Sequence, residues 1–232
     1  MAQLMAPGRD DALQGDVRRD DSGFTLLEVI VAVGLFSVFL AIFITSVTGL
    51  AGAVTKTKVT SESASTNQVV IGLLGRQVPY AEAINRPGPG MADPDVRYIE
   101  FQQPRSATTD LLRACIQWRY IPDDQLLQSR TWSLTAGGAA TNTTGWATRA
   151  TDVIDLGAAN TPFSMLPADP GAGLFRQQLA VTLASGVAGT EITSTETRIV
   201  ARNSSASSVT NLDANVDGQS DTMVCMQAGG RP

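Results

Sequence analysis

The chain has 232 residues, 17 basic against 22 acidic side chains, a formal charge of −5 and no histidine. This mild acidity argues against nucleic acid as a partner, because phosphate backbones are held by a basic face. Without histidine the commonest general base and metal ligand are missing. No nucleophile elbow, P-loop or Gly-x-Gly-x-x-Gly appears either, so no catalytic activity is expected.

Residues 1–22 are polar, lack helical periodicity and read as a disordered leader. Gly23 then opens an apolar run that reaches Val54, and from Val29 to Val54 there is no Asp, Glu, Lys or Arg. About 26 residues make a helix of about 39 Å, enough to cross about 30 Å of bilayer hydrocarbon. Glu28 stands near the head of this run, four residues past Phe24. A charge deep in a bilayer costs at least about 2.5–3.5 kcal/mol, so this carboxylate is read as functional. An ordinary secretory signal would use Ala51-Gly52-Ala53 as its cleavage site. Such a signal has a shorter apolar region, however, and holds no carboxylate there. A plain membrane anchor accounts for the length alone.

Gly23-Phe24-Thr25-Leu26-Leu27-Glu28-Val29 resembles the prepilin signal of type IV pilins and type II secretion pseudopilins. The resemblance implies that a dedicated membrane peptidase cuts after Gly23 and N-methylates the new first residue, Phe24. It also implies that Glu28 pairs with the N-terminal amine of a neighbouring subunit. Arg9, Arg18 and Arg19 favour a cytoplasmic leader, although the leader also holds five Asp. Cleavage would leave 14 basic and 17 acidic side chains.

Beyond Val54, Lys56-Thr57-Lys58 sits where a membrane helix meets the headgroups. Apolar residues recur at Val59, Ala64, Val70, Leu73, Leu74 and Val78 with helical spacing, and Ser63, Ser65, Thr66 and Asn67 lie between them. The expectation is one long helix from about Phe24 to about Gln77, ended by Pro79. Its second half lays an apolar stripe on a globular head. Gly34, Gly49 and Gly52 imply close helix packing in the membrane.

Residues 86–95 read as a loop, after which the period changes to two. Val96–Phe101 reads as a strand. Leu111–Ile121 and Gln125–Leu134 read as a hairpin about Pro122-Asp123-Asp124. Residues 135–145 and 162–173 read as loops, with a short strand at Val153–Leu156 between them. Phe175–Leu183 and Glu191–Arg202 alternate again, and 204–232 is a polar tail. The hairpin sequence Cys115-Ile-Gln-Trp-Arg-Tyr-Ile121 with Leu126-Leu-Gln-Ser-Arg-Thr-Trp132 resembles the sheet of J-type minor pseudopilins and related minor pilins. The close of the last strand, through Arg202-Asn203, resembles theirs too. The expected fold is α+β: a long N-terminal helix, half membrane-spanning and half amphipathic, packed on an antiparallel sheet head. Its parts are a leader 1–23, a membrane and polymerisation half 24–54, and a head 55–232. The head holds helix 55–78, a sheet over about 96–203 and the tail 204–232.

Two cysteines, Cys115 and Cys225, lie 110 positions apart beyond the membrane run. If the head faces an oxidising exterior, a disulfide can persist there and would staple the tail to a central strand. Two free buried thiols are the alternative. Asp213, Asn215, Asp217, Gly218 and Asp221 match the first half of a calcium loop, but Val224 stands where an EF-hand has its bidentate Glu. Calcium is the ion this spacing suits; a solvated polar tail is the alternative, and no cofactor is required. Trp118, Trp132 and Trp146 read as core or loop packing in preference to a sugar platform.

The resemblance implies a minor pilin or pseudopilin, a structural subunit of a type IV pilus or type II secretion-like pseudopilus. It would be inserted in the bacterial cytoplasmic membrane by a single span, with its head outside the cytoplasm. It would then enter a surface or periplasmic filament. Implied partners are other pilins or pseudopilins, the prepilin peptidase and a membrane assembly platform; a place in DNA uptake fits the same pattern. The reading from a different class is a monomeric, membrane-anchored binding module.

Overall fold

The computed structural model describes residues 23, 25–104, 113–155, 157, 162–187 and 190–232. One helix, α1, runs over Leu26–Gln77. By contacts the chain divides into two units, Met1–Gly52 and Ala53–Pro232.

In the first unit α1 is apolar and exposed. It contains an 18-residue window of mean hydropathy 2.7, none of it buried, and is long and apolar enough to cross a membrane. Its hydroxyls are satisfied within the helix. Ser37, Thr45, Ser46 and Thr48 donate to the carbonyls of Val33, Ala41, Ile42 and Ile44 at 2.7–3.0 Å. In hydrocarbon no water would replace those bonds, so this back-bonding is what makes the residues tolerable there. A Cβ on Gly34, Gly49 or Gly52 would meet nothing within 4 Å. Contacts within the chain therefore do not require glycine at these positions.

In the second unit α1 continues to Gln77, and Val78–Tyr80 closes it with a 3-10 turn carrying Pro79. The buried stripe is Asn67, Val70, Leu74 and Val78, with Ile71 and Leu73 half-buried beside it. Asn67 corrects the sequence reading, which set it among the polar positions between the apolar ones. It is 1% exposed, donates to the Leu183 carbonyl at 3.4 Å and accepts from Ser185 Oγ at 3.0 Å. A polar residue can occupy an apolar stripe when both ends of its amide are satisfied.

Two antiparallel sheets pack against that stripe, where the sequence reading had one. The larger has the order β1 (Ala83–Ile84), β3 (Arg97–Gln103), β4 (Arg113–Ile121), β5 (Leu126–Leu134), β6 (Ala140–Thr141). In it β2 (Gly88–Pro89) pairs with β3, and β7 (Ala147–Ala150) with β5. The smaller has the order β11 (Thr190–Val200), β10 (Gln178–Val187), β8 (Val153–Ile154), and β9 (Phe163–Leu166) also pairs with β10. The β4–β5 hairpin turns where the sequence placed it, with Ile121 opposite Leu126 and Gln125 at φ 55°. Leu111, assigned to the same strand, lies outside the described residues. Residues 162–173 are not all loop. Phe163 and Met165 are buried in β9, opposite Val181 and Leu179, because their alternation carries two apolar side chains into the core.

Alternation also divides the larger sheet by face. Ile99, Phe101, Ile116, Trp118, Tyr120 and Leu127 join the helix in the main core. The opposite face carries Tyr98, Glu100, Cys115, Gln117, Arg130 and Trp132, and it too is covered. The cover is the tail, which the sequence reading took as polar and as stapled to a central strand if Cys115 and Cys225 are bridged. Glu100, Gln117 and Arg130 lie opposite one another across β3, β4 and β5. Glu100, wholly buried, accepts from Gln117 Nε2 at 2.9 Å and from Asn85 Nδ2 at 2.7 Å. The cation that meets it comes from the far end of the chain: Arg231 donates to Glu100 from Nη2 at 2.8 Å and from Nε at 3.0 Å. Arg231 Nη2 also donates to the Arg86 carbonyl at 2.7 Å. Gly230 supplies its carbonyl to Gln117 Nε2 at 2.9 Å and to Arg130 Nη2 at 3.3 Å. A Cβ on Gly88 would fall 2.1 Å from Arg231 Nη1, so only glycine leaves room for this guanidinium.

Removing one partner of a buried ion pair leaves the other charge unpaired, at a cost of about 3–5 kcal/mol. Arg231→Ala should therefore lower the melting temperature of the head by about 10 °C, read by circular dichroism. A second expectation concerns pH. Burial, and then the nearby Asp155 carboxylate, push the Tyr120 phenol from its ordinary 10.0 up to about 12. Its hydroxyl donates to the Val153 carbonyl at 3.0 Å, a bond that needs the proton. The folded pKa lies above the unfolded one, so this stability is full below about pH 10 and is lost as pH rises towards 12. Chemical denaturation across that window should show the fall, and Tyr120→Phe should flatten it.

Candidate functional site

Of the expected processing residues, Phe24 lies outside the described residues. Gly23 is exposed, and a Cβ there would meet nothing within 4 Å. Nothing in the described fold demands glycine at this position, so any such demand comes from whatever reads the segment.

Thr25 has a role that the sequence reading missed. It is the residue before α1, and its Oγ1 accepts from the backbone N–H of Glu28 at 3.3 Å. Its carbonyl accepts from the Val29 N–H at 3.2 Å, the first bond of the helix. Thr25-x-x-Glu28 is thus the Thr-x-x-Glu pattern of a capping box, of which the Thr side is made. The signal was legible as a Thr three residues before a Glu at the head of an apolar run. Glu28 also falls in the first helical turn, where the helix dipole favours an anion. Its carboxylate is exposed, with no cation within 4 Å among the described residues. The one helical turn that carries the motif therefore starts the helix and presents an unpaired carboxylate.

In the head, Cys115 and Cys225 form a disulfide with Cα atoms 5.4 Å apart. Around it Ala83, Trp132, Leu134 and Val224 make a second apolar cluster, on the face of the sheet opposite the main core. Val224 N–H donates to Asn85 Oδ1 at 2.9 Å, which sets the tail beside Glu100. Closing a loop of 110 positions is worth about 4–5 kcal/mol in the chain-entropy account.

The acidic loop folds on itself. Asp213 accepts from the amides of Asp217 at 3.0 Å and Gly218 at 3.2 Å, and it faces Arg86 Nε at 3.7 Å, an ion pair without a hydrogen bond. Asp217 accepts from the Gln219 amide at 2.8 Å and from Asn215 Nδ2 at 2.9 Å, while Asp221 accepts from the Ala214 amide at 3.0 Å. These carboxylates cap turns of their own loop. Among the described residues no group of three or more His, Cys, Asp or Glu is placed to hold a metal.

The tryptophans part company. Trp118 and Trp132 are buried, and Trp118 Nε1 donates to Gln77 Oε1 at 3.1 Å. Trp146 is half-buried against two guanidinium groups, Arg119 at 4.1 Å and Arg130 at 4.5 Å from its ring centroid. Burial, with the positive charge of Arg119 beside it, draws the Arg130 pKa down. The aromatic face offsets that repulsion by cation–π attraction.

Thiol labelling of freshly folded protein should find neither Cys115 nor Cys225 free until a reductant is added. After reduction the tail should become a site of proteolysis, seen as fragments by mass spectrometry. Free thiols before reduction would contradict the bridge.

Residues 18–44, the region that holds Gly23, Thr25 and Glu28, match the family model of the prokaryotic N-terminal methylation motif, which supports the reading of a prepilin-type signal. No curated protein and no solved structure matches the chain.

Proposed function

We propose that this chain is a minor pilin or pseudopilin, a non-enzymatic structural subunit of a type IV pilus or type II secretion-like pseudopilus. The observation that carries the reading is the methylation motif at residues 18–44, set at the start of a helix that is apolar and exposed along its first half. In this reading residues 1–23 are a leader that the prepilin peptidase removes after Gly23, and Phe24 becomes the methylated N-terminus. Residues 24–54 hold the subunit in the cytoplasmic membrane and later in the filament, and the head 55–232 lies outside the cytoplasm. The disulfide fits an oxidising exterior. Partners are other pilins, the peptidase and an assembly platform in the membrane.

Glu28 has a stated part in this. A carboxylate and an ammonium both held in hydrocarbon attract strongly, because the dielectric is low. The Phe24 amine of one subunit and Glu28 of the next would form such a pair and set the stagger of the fibre.

Two variants test the proposal in a host that has the peptidase. Gly23→Ala should stop or slow maturation, so the unprocessed precursor accumulates, and wild-type protein should begin at methyl-Phe24 by mass spectrometry. Glu28→Ala should still be cleaved, yet co-purify with sheared filaments or partner subunits at well under wild-type yield per mature chain. An intact leader on mature protein would sink the processing. Equal incorporation of Glu28→Ala and wild type would remove the assembly role of Glu28, and absence of the wild type from filaments and partner complexes would leave the chain as a membrane-anchored binding module.

A further inference from the structure

We propose that the head has a basic end and an acidic end, and that copies of this chain join basic end to acidic end. The Asp123-Asp124 turn of one copy seats on the cleft between Arg76 and Arg202 of the next. The joint rests on the fibre reading above, because it needs copies displaced along α1 by about the length of a head.

The basic end lies where α1 closes. There the Arg202 N–H donates to the Pro79 carbonyl at 3.0 Å, and Asn203 Nδ2 donates to the Tyr80 carbonyl at 3.1 Å. Arg76, Tyr80, Arg202 and Asn203 line an open cleft of about 430 Å³. Arg176 reaches the same end and donates to the Ser204 carbonyl. Arg76, Arg176 and Arg202 are exposed, and none has an ion pair among the described residues. The nearest carboxylate in sequence, Glu82, is held by Arg113 at 2.8 Å. The helix dipole favours a cation in the last turn of α1, but that accounts for Arg76 alone.

The acidic end is found by following contacts back along α1. Ser185 Oγ donates to Asn67 Oδ1 at 3.0 Å, and Ser185 pairs with Val153. The Val153 N–H in turn donates to the carbonyl of Gln125, which closes the β4–β5 turn, at 3.0 Å. Asn67 precedes Gln77 by ten residues, about 15 Å of helix. The turn and the arginines therefore lie at different ends of the head. Asp123 and Asp124 are exposed at the turn, without an ion pair among the described residues. Asp152 and Asp155 are exposed on either side of Val153. Arg97 reaches this end of β3 too, but Asp93 and Asp95 stand in the loop just before it.

The charges identify the occupant. A two-fold joint at either end would set guanidinium against guanidinium or carboxylate against carboxylate. Only basic end on acidic end matches opposite charges, and both ends belong to the same chain. Two carboxylates on one turn face two guanidiniums across one cleft, and exposed Tyr80 adds a hydroxyl donor at the rim. Such a joint keeps α1 pointing the same way in every copy, as anchoring in one membrane requires. It does not close on itself, so it extends into an open chain, which is the form of a fibre.

Full-length protein in a host with the peptidase provides the test. Chains carrying both Asp124→Cys and Arg202→Cys should form a ladder of dimers and higher multimers on mild oxidation. The readout is a non-reducing gel of sheared filaments. Neither single variant should link to itself, because each position faces the other one, and the two single variants expressed together should give dimers only. Asp124→Arg or Arg202→Asp alone should lower incorporation per mature chain at least about threefold, since attraction becomes repulsion. The two reversals combined should recover most of it, and unchanged melting temperatures would show that the variants fold. Failure of the fibre reading shows itself separately, as wild type absent from filaments and partner complexes. The double-cysteine chain is then oxidised in detergent extract, where no shared membrane plane prevents the displacement, and no ladder there would overturn the joint. So would incorporated double-cysteine chains that form no ladder, dimers from either single variant, or cross-links to a different protein only.

Discussion

The head depends on a carboxylate that the fold buries completely. Glu100 sits in the middle of the larger sheet, fully buried, on the face turned away from the helix. A charge in that position is tolerable only if it is paired and its remaining oxygen lone pairs are bonded. Asn85, Gln117 and Arg231 meet that need together, from three separate stretches of chain. The requirement explains much of the surrounding structure. The tail must cross this face to bring Arg231 in, Gly88 must be glycine to leave room, and Gly230 must turn its carbonyl to Gln117 and Arg130. The disulfide at Cys225 fixes the tail one step earlier along the same path.

This arrangement gives the sheet two cores of different character. Toward the helix the packing is apolar, and its few polar atoms, such as Asn67, are each satisfied. Under the tail a polar row lies beside a small apolar cluster around the disulfide. The apolar side supplies non-directional stabilisation. The polar side supplies direction, since hydrogen bonds and an ion pair tolerate little displacement. A tail with few apolar residues could not hold its place by burial alone, and it is held instead by the disulfide, by the Arg231–Glu100 and Arg86–Asp213 ion pairs and by hydrogen bonds to Asn85 and Gln117.

The N-terminal segment follows different physics. There the helix keeps its polar groups to itself: hydroxyls bond back to the preceding turn, and Thr25 caps the start. Glu28 is the exception, a carboxylate in the first turn that the described chain leaves unpaired. The helix dipole accommodates it, but a dipole end is worth about 0.3–1 kcal/mol at an exposed site and does not replace a counter-ion in hydrocarbon. In the proposed reading that imbalance is met by the Phe24 amine of a neighbouring subunit.

Local patterns along the chain were enough to place the long helix, its end near Pro79, the β4–β5 hairpin and the prepilin-type motif, because each depends on neighbours within a few residues. Periodicity of two marked β3, β10 and β11 for the same reason. Thr25 as a cap was equally local and could have been read from its spacing to Glu28. What only the tertiary structure decided were matters of long separation. The strand pairing that splits the head into two sheets, and the pull of Phe163 and Met165 into β9, depend on partners many residues away. Asn67 looks polar by composition and is buried because Leu183 and Ser185 stand opposite it. Arg231 reads as one more charge in a polar tail. It becomes the counter-ion of Glu100 because the fold buries a carboxylate where a cation from the same chain can reach it, a fact with no trace in the residues beside either one.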